Sequence, residues 1–187
     1  MKFIADTLVV QADGIYEADP DVATLTFTIS AQEKELKPAY DKASQAMRTI
    51  AELADLHVAT LASSTPVDVL STDRHTVKPW FQGKIPFTFN LPDLGNTPFT
   101  LEGGRMSYLN QAPGAQLIFK IGNHRISVFI FQNRPDWPFA SANGRSRSLT
   151  FNVETWTEDE LRYFVIGDAE ANDIHKLSEL LKIAARP

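Results

Sequence analysis

The sequence predicts an α+β fold: an antiparallel β-sheet with a long helix from the first third of the chain and a C-terminal helix packed on it. Three observations carry that expectation. Apolar residues recur at three-four spacing through Ala39, Ala43, Met47, Ile50, Leu53 or Ala54, His57 and Leu61, which marks one long amphipathic helix. From Phe99 onward, short apolar runs rich in β-branched and aromatic residues alternate with Gly, Asn and Pro turn signals. The last residues return to helical spacing at Ile174, Leu177, Leu180 or Leu181 and Ala184.

In chain order, residues 7–11 are apolar and β-branched and predict a first strand, with Asp13-Gly14 and Asp19-Pro20-Asp21 as turns. Residues 22–31 alternate and place Leu25, Phe27 and Ile29 on one face of a half-buried strand. Pro38 suits the first turn of the long helix. Ser63-Ser64-Thr65-Pro66 ends it, because Pro disfavours helix in the residue before it. Ser71 is the expected cap of a short helix through Arg74, His75 and Val77, ended or bent at Pro79. Ile85, Phe87, Phe89 and Leu91 alternate, but Pro86 limits them to an edge strand or an irregular extension. After a loop at 92–98, Gly103-Gly104 precedes a strand over 105–109, and 110–114 is a turn. Strands at 115–121 and 124–131 flank Gly122-Asn123, a spacing that favours a hairpin. Residues 133–148 read as a loop, 149–156 and 161–166 as a strand pair joined through 157–160, and Asp168 as the cap of the last helix.

At 187 residues the chain can bury a sizeable core. Its 43% hydrophobic and 22% charged residues exclude disorder throughout. A net charge of −5 argues against a nucleic-acid partner, which requires a cationic face. The absence of Cys excludes disulfides, thiolate zinc sites and Cys nucleophiles. No apolar run approaches the ~20 residues that span a bilayer, and residues 1–6 hold too short an apolar region for a signal peptide. These features predict either a cytoplasmic protein or a stretch of a longer membrane-anchored or exported one. No Gly-x-Ser-x-Gly elbow, phosphate loop, dinucleotide fingerprint or His-Glu-x-x-His occurs, so the chain is expected not to be an enzyme.

The densest chemistry lies in residues 71–84, Ser-Thr-Asp-Arg-His-Thr-Val-Lys-Pro-Trp-Phe-Gln-Gly-Lys. Arg74, His75, Lys78 and Trp80 form a candidate ligand- or signal-binding surface, with apolar area from Trp80 and Phe81 and attraction for an anion from Arg74 and Lys78. The competing reading is a buried aromatic plug, Pro79-Trp80-Phe81, that pins the segment onto the sheet. The loop bearing Arg134, Arg145, Arg147, Trp137 and Phe139 either touches a phosphate or acidic partner or is simply solvated.

Two resemblances organise these pieces. Gly14, Pro20-Asp21-Val22-Ala23 and the Ala-rich helix with Ala43, Ala46 and Met47 resemble the start of a SIMPL domain over roughly residues 6–55. Further on, Asp55-Leu56-His57-Val58, then residues 68–84, Pro92-Asp93-Leu94, and Leu101-Glu102-Gly103-Gly104-Arg105-Met106-Ser107-Tyr108-Leu109 match another pattern in order. His124-Arg125-Ile126-Ser127-Val128-Phe129-Ile130, Phe151-Asn152-Val153 with Trp156, and Tyr163-Phe164-Val165-Ile166-Gly167-Asp168 complete it. These blocks resemble the extracytoplasmic region of transmembrane anti-sigma factors. The two resemblances imply a division into a SIMPL-like segment, 1–56, and a sensor-like domain, 57–187, able to share one core. Members of the second family carry a cytoplasmic zinc-binding module and a transmembrane helix, and this chain has neither the cysteines nor such a helix.

The resemblance implies a non-enzymatic periplasmic sensor or interaction domain with a protein partner and a membrane tether outside this chain. The alternatives are a SIMPL-like periplasmic assembly protein that forms homo-oligomers and a metal-binding stress protein. No cofactor is expected under the first two. Under the third, His57, His75 and His124, which fall in three of the matched blocks, converge on Zn²⁺ or Cu²⁺. The competing reading makes each a hydrogen-bonded structural histidine, with His175 on a helix surface.

Overall fold

The computed structural model describes residues 8–18, 21–31, 36–134, 137, 144–148 and 151–186. Two strands open the chain, β1 (Leu8–Ala18) and β2 (Asp21–Ala31), paired antiparallel from Leu8↔Ala31 to Ala18↔Asp21. The turn expected at Asp13-Gly14 is absent. Gly14 lies in mid-strand opposite Leu25, where an unbroken ladder outweighs a two-residue turn signal. The expected Asp19-Pro20 turn lies outside the described residues. β2 runs beside the helix α1 (Leu36–Ala62), which is about 40 Å long. α1 is continuous through residues 56 and 57, so the division suggested by the two resemblances falls inside one helix.

The main sheet is antiparallel, with strand order β3-β4-β5-β6-β9-β8-β7. Its members are β3 (Val69–Leu70), β4 (Thr100–Leu109), β5 (Ala112–Ile121), β6 (His124–Gln132), β7 (Gly144–Ser148), β8 (Phe151–Glu158) and β9 (Leu161–Gly167). The expected turns at 110–114 and 157–160 contract to Asn110-Gln111 and Asp159-Glu160, with φ of 48° and 64°, and 47° and 62°. A two-residue turn with both φ values positive matches the twist of the strands it joins. Residues 144–148, expected in a loop, form the edge strand β7. Arg-Ser-Arg-Ser has no apolar alternation to betray it, and charge is ordinary on an edge strand. The alternation at Ile85, Phe87, Phe89 and Leu91 produces no strand. Ile85, Phe89 and Leu91 are buried from irregular backbone, and Pro86 has no amide to contribute to a ladder.

Two short-range expectations about caps are corrected. The helix α2 (Arg74–Trp80) is capped by Asp73, not Ser71: its carboxylate accepts from the His75 amide at 2.8 Å and from Thr76 Oγ1 at 3.2 Å. Ser71 Oγ accepts from the Asp73 amide one step earlier. Asp73→Ala should lower stability by about 1 kcal/mol, read as a shift in urea midpoint. A shift no larger than that of Ser71→Ala would contradict this assignment. The C-terminal helix α3 (Ala171–Ala185) begins after Glu170, and Asp168 instead pairs with His124.

Both faces of the sheet are buried. In β6, Ile126, Val128 and Ile130 point to one core with Leu117, Phe119, Val165 and the α3 residues Ile174, Leu177 and Leu181. Phe129 and Phe131 point to the other, with Phe164, Ile166 and the α1 residues Ile50, Leu53 and Ala54. The two helices therefore cover opposite faces, rather than sharing one. This explains why residues 126–131 read as an almost continuous apolar run, the signature of a strand buried on both sides.

Candidate functional site

Residues 71–84 are tied to the sheet edge at two points. Val69 and Leu70 pair with Gly104 and Gly103, flanked by hydrogen bonds from the Asp68 amide to Gly104 O (2.9 Å) and from the Ser71 amide to Glu102 O (3.3 Å). Beyond them, Val77 and Phe81 enter the core. Phe81 meets Phe89 edge-on at 5.4 Å and lies over the bare face of Gly104. Trp80 covers Phe81 edge-on at 5.0 Å, and Lys84 closes over its ring at 4.0 Å while donating to Trp80 O at 2.6 Å. The plug of this segment is thus Phe81, with half-buried Trp80 as its roof.

Arg74, His75 and Lys78 line an open groove of about 660 Å³ between α2 and the C-terminal half of α3. Trp80 does not line it. The floor is apolar, with Pro79, Leu91 and Leu180, and Asn90, Asp93, Ile183 and Arg186 stand at its walls. Lys78 Nζ donates to Asn90 Oδ1 at 2.8 Å. Arg74 Nε donates to His75 Nε2 at 3.4 Å, and Arg74 Nη2 reaches Asp93 Oδ2 only at 3.9 Å. A second concavity of about 440 Å³ shares Arg74, His75, Leu91, Pro92 and Asp93 with it and is also lined by Phe99 and Phe119. Such a surface offers fixed cations beside apolar area, which is binding chemistry. Helical spacing links Arg74 to Lys78 in the sequence, whereas the contribution of α3 has no local signal.

The three histidines expected around a metal are not gathered about one point among the described residues. His75 is exposed on α2, and His124, at the β5–β6 turn, pairs with Asp168 at 3.1 Å. His57 is fully buried between α1 and the sheet. Its Nδ1 lies 2.7 Å from Ser127 Oγ. Gln116 Nε2 donates to both Ser127 Oγ and Thr60 Oγ1 at 3.0 Å, and Thr60 Oγ1 donates to Leu56 O at 2.8 Å. Because Gln116 supplies a donor, the Ser127 hydroxyl hydrogen is free to go to Nδ1. That places the imidazole proton on Nε2, which finds no partner among the described residues.

Burial pushes the His57 pKa down from its ordinary 6.5 to about 4, against a smaller opposing pull from Asp168. Between those values the unfolded chain binds the proton more readily than the folded one. Stability is therefore fully present above about pH 6.5 and falls as pH drops toward 4, by roughly 3 kcal/mol. Urea midpoints across that range for the wild type and His57→Asn, which keeps an acceptor near Nδ1, should differ in slope. Parallel pH profiles would show that His57 is not held neutral.

One ionic cluster was not foreseen. Glu154, buried in β8, faces His175, Glu179 and Lys182 of α3. His175, expected on the surface, is half-buried, with Nδ1 at 3.1 Å from Glu154 Oε2. The Lys182 ammonium sits 2.8 Å from both carboxylates and 4.9 Å from the Trp156 ring centroid. Burial by itself would lower its pKa, but the hydrogen bonds it donates to Glu154 and Glu179 prevail and raise it. The place a metal ion would take between these acids already holds a cation. The signal in the sequence was Glu154 two residues before Trp156 in β8, matched by His175, Glu179 and Lys182 at helical spacing. In the Arg134–Arg147 stretch, Trp137 is buried against Phe131 at 5.8 Å, and Phe139 lies outside the described residues.

Comparison with known proteins adds one similarity. Residues 8–96, just under half of the chain, match the model of the SIMPL family, described as a protein of unknown function (DUF541). The match extends beyond the roughly 6–55 expected from the sequence and takes in β3 and α2. No curated protein matches the chain.

Proposed function

We propose, from the SIMPL similarity of its first half and the basic groove between α2 and α3, that the chain is a non-enzymatic extracytoplasmic sensor or interaction domain. Its finer role, on this reading, is that of the periplasmic part of a transmembrane anti-sigma factor, where an external signal controls release of a sigma factor. The observation that carries the reading is the groove: the segment with the strongest anti-sigma resemblance presents Arg74, His75 and Lys78 on one accessible surface. The sheet behind it, buried on both faces, makes a rigid support. Such a role requires a membrane anchor besides the described helices, none of which is long and apolar enough to cross a membrane.

Transcript profiling of a strain lacking the chain tests the reading. A coherent change in one sigma-dependent gene set, restored by the wild type and not by Lys78→Glu, is the expected outcome. An unchanged transcriptome would sink it. The second reading, a SIMPL-like assembly protein, is favoured by the extent of the family match. It predicts a large oligomer by light scattering, where the sensor reading predicts a monomer or dimer.

A further inference from the structure

We infer that the groove between α2 and α3 docks an acidic peptide segment of a partner protein, its carboxylates on Arg74 and Lys78 and its apolar side chains on Leu180 and Ile183. The inference rests on the reading of the chain as an interaction domain and adds the chemistry of the partner.

Charge is the first argument. The chain carries a net −5, yet this groove gathers Arg74, Lys78 and Arg186, with Asp93 as the opposing carboxylate on its wall. Among the described residues, none of these cations is held firmly by an acid. Arg74 meets Asp93 at 3.9 Å with both side chains substantially exposed, and Arg186 meets Glu158 at 3.8 Å. Exposed pairs of that length contribute little, so an incoming carboxylate displaces them readily. The second argument is apolar. Ile174, Leu177 and Leu181 of α3 turn into the core, whereas Ile183 is 64% exposed and lines the groove with Leu180 and Ala184. A solvated helix face would carry polar residues there. Concave walls from two elements suit a peptide better than a flat lipid surface. The cations are too few and the whole chain too acidic for nucleic acid.

The test uses the full chain and a fluorescein-labelled peptide built of Glu and Leu, with its Lys/Leu counterpart as control, followed by fluorescence anisotropy. The Glu/Leu peptide should bind, the Lys/Leu peptide should not, and raising salt from about 50 to 300 mM should weaken binding. Arg74→Glu with Lys78→Glu should weaken Glu/Leu binding by at least about 10-fold and confer binding of the Lys/Leu peptide. Asp93→Asn keeps the Oδ1 acceptor that holds the Gly95 amide at 2.9 Å but removes the competing charge from Arg74, and should tighten binding. A gain of affinity cannot come from misfolding. Absence of Glu/Leu binding overturns the inference, as does binding that ignores the charge reversal. Equally decisive against it would be capture of anionic phosphatidylglycerol vesicles in place of peptide, or a mass that falls to monomer on charge reversal, which would make the occupant a second copy. Failed peptide binding with the transcript response intact removes this inference alone. Binding without a transcript response removes the regulatory reading alone.

Discussion

Phe81→Ala should destabilise the protein by about 3–5 kcal/mol, the range for deleting a buried aromatic ring. Phe81 is 2% exposed, packs on Phe89 and Trp80, and fills the space that Gly104 leaves open. Gly104 has no side chain to fill the gap, and Phe89 is itself buried. Urea unfolding checks it: the midpoint should fall with the slope unchanged. Phe81→Leu should lose distinctly less. Tryptophan fluorescence should shift as well, since Trp80 roofs the ring. A midpoint shift below about 1 kcal/mol would mean that Phe81 is not the plug.

Gly103→Ala should be at least as damaging, about 4 kcal/mol or more, with its effect concentrated at β3. Gly103 has φ +148°, and a Cβ there would stand 2.1 Å from Val69 O. That oxygen belongs to the backbone, so no side-chain rotation relieves the clash. Either β3 leaves β4 or the bulge between Leu101 and Gly103 is rebuilt. The next glycine provides a graded comparison: at Gly104 the added carbon meets the Phe81 ring at 2.9 Å, and a ring can shift. Hydrogen exchange locates the damage. The Asp68 and Ser71 amides, which bond to Gly104 O and Glu102 O, should lose protection in Gly103→Ala while β5 and β6 keep theirs. Unchanged protection at those two amides would refute the argument.

What the sequence disclosed follows from how local each signal is. The helical spacing of Ala43, Ile50, Leu53 and His57 marks α1 and its buried face, and Gly122-Asn123 marks the β5–β6 turn. Neither depends on distant residues. The α+β class follows from these. The polar edge strand β7 was hidden because its partner β8, not its own composition, makes it a strand. The opposite placement of α1 and α3 was hidden because a run such as Ile126–Phe131 says that both faces are covered, but not by which helix. Within the site, Arg74, His75 and Lys78 were legible as one turn of helix. Which of Trp80 and Phe81 enters the core was not, because the space that Phe81 fills is left by Gly104, more than twenty residues away. His57, His75 and His124 showed no ligand spacing, and each lies where its own element puts it: His57 on the buried face of α1, His75 exposed on α2, His124 at the β5–β6 turn.

The burial of α1 also sets a timetable. His57 finds Ser127 70 residues further along the chain, and the aromatic residues that share a core with Leu53 and Ala54 all lie in β6 or beyond. At about 5–20 residues/s, a growing chain would hold the finished helix for roughly 3–11 s before Gln116, the partner of Thr60, is synthesised. Throughout that interval the main-sheet strands that bury Ile50, Leu53 and Ala54 are not yet made, and only β1 and β2 stand beside the helix. The newborn chain is thus a client for whatever shields amphipathic helices in the cell, long before it is a domain that can bind anything itself.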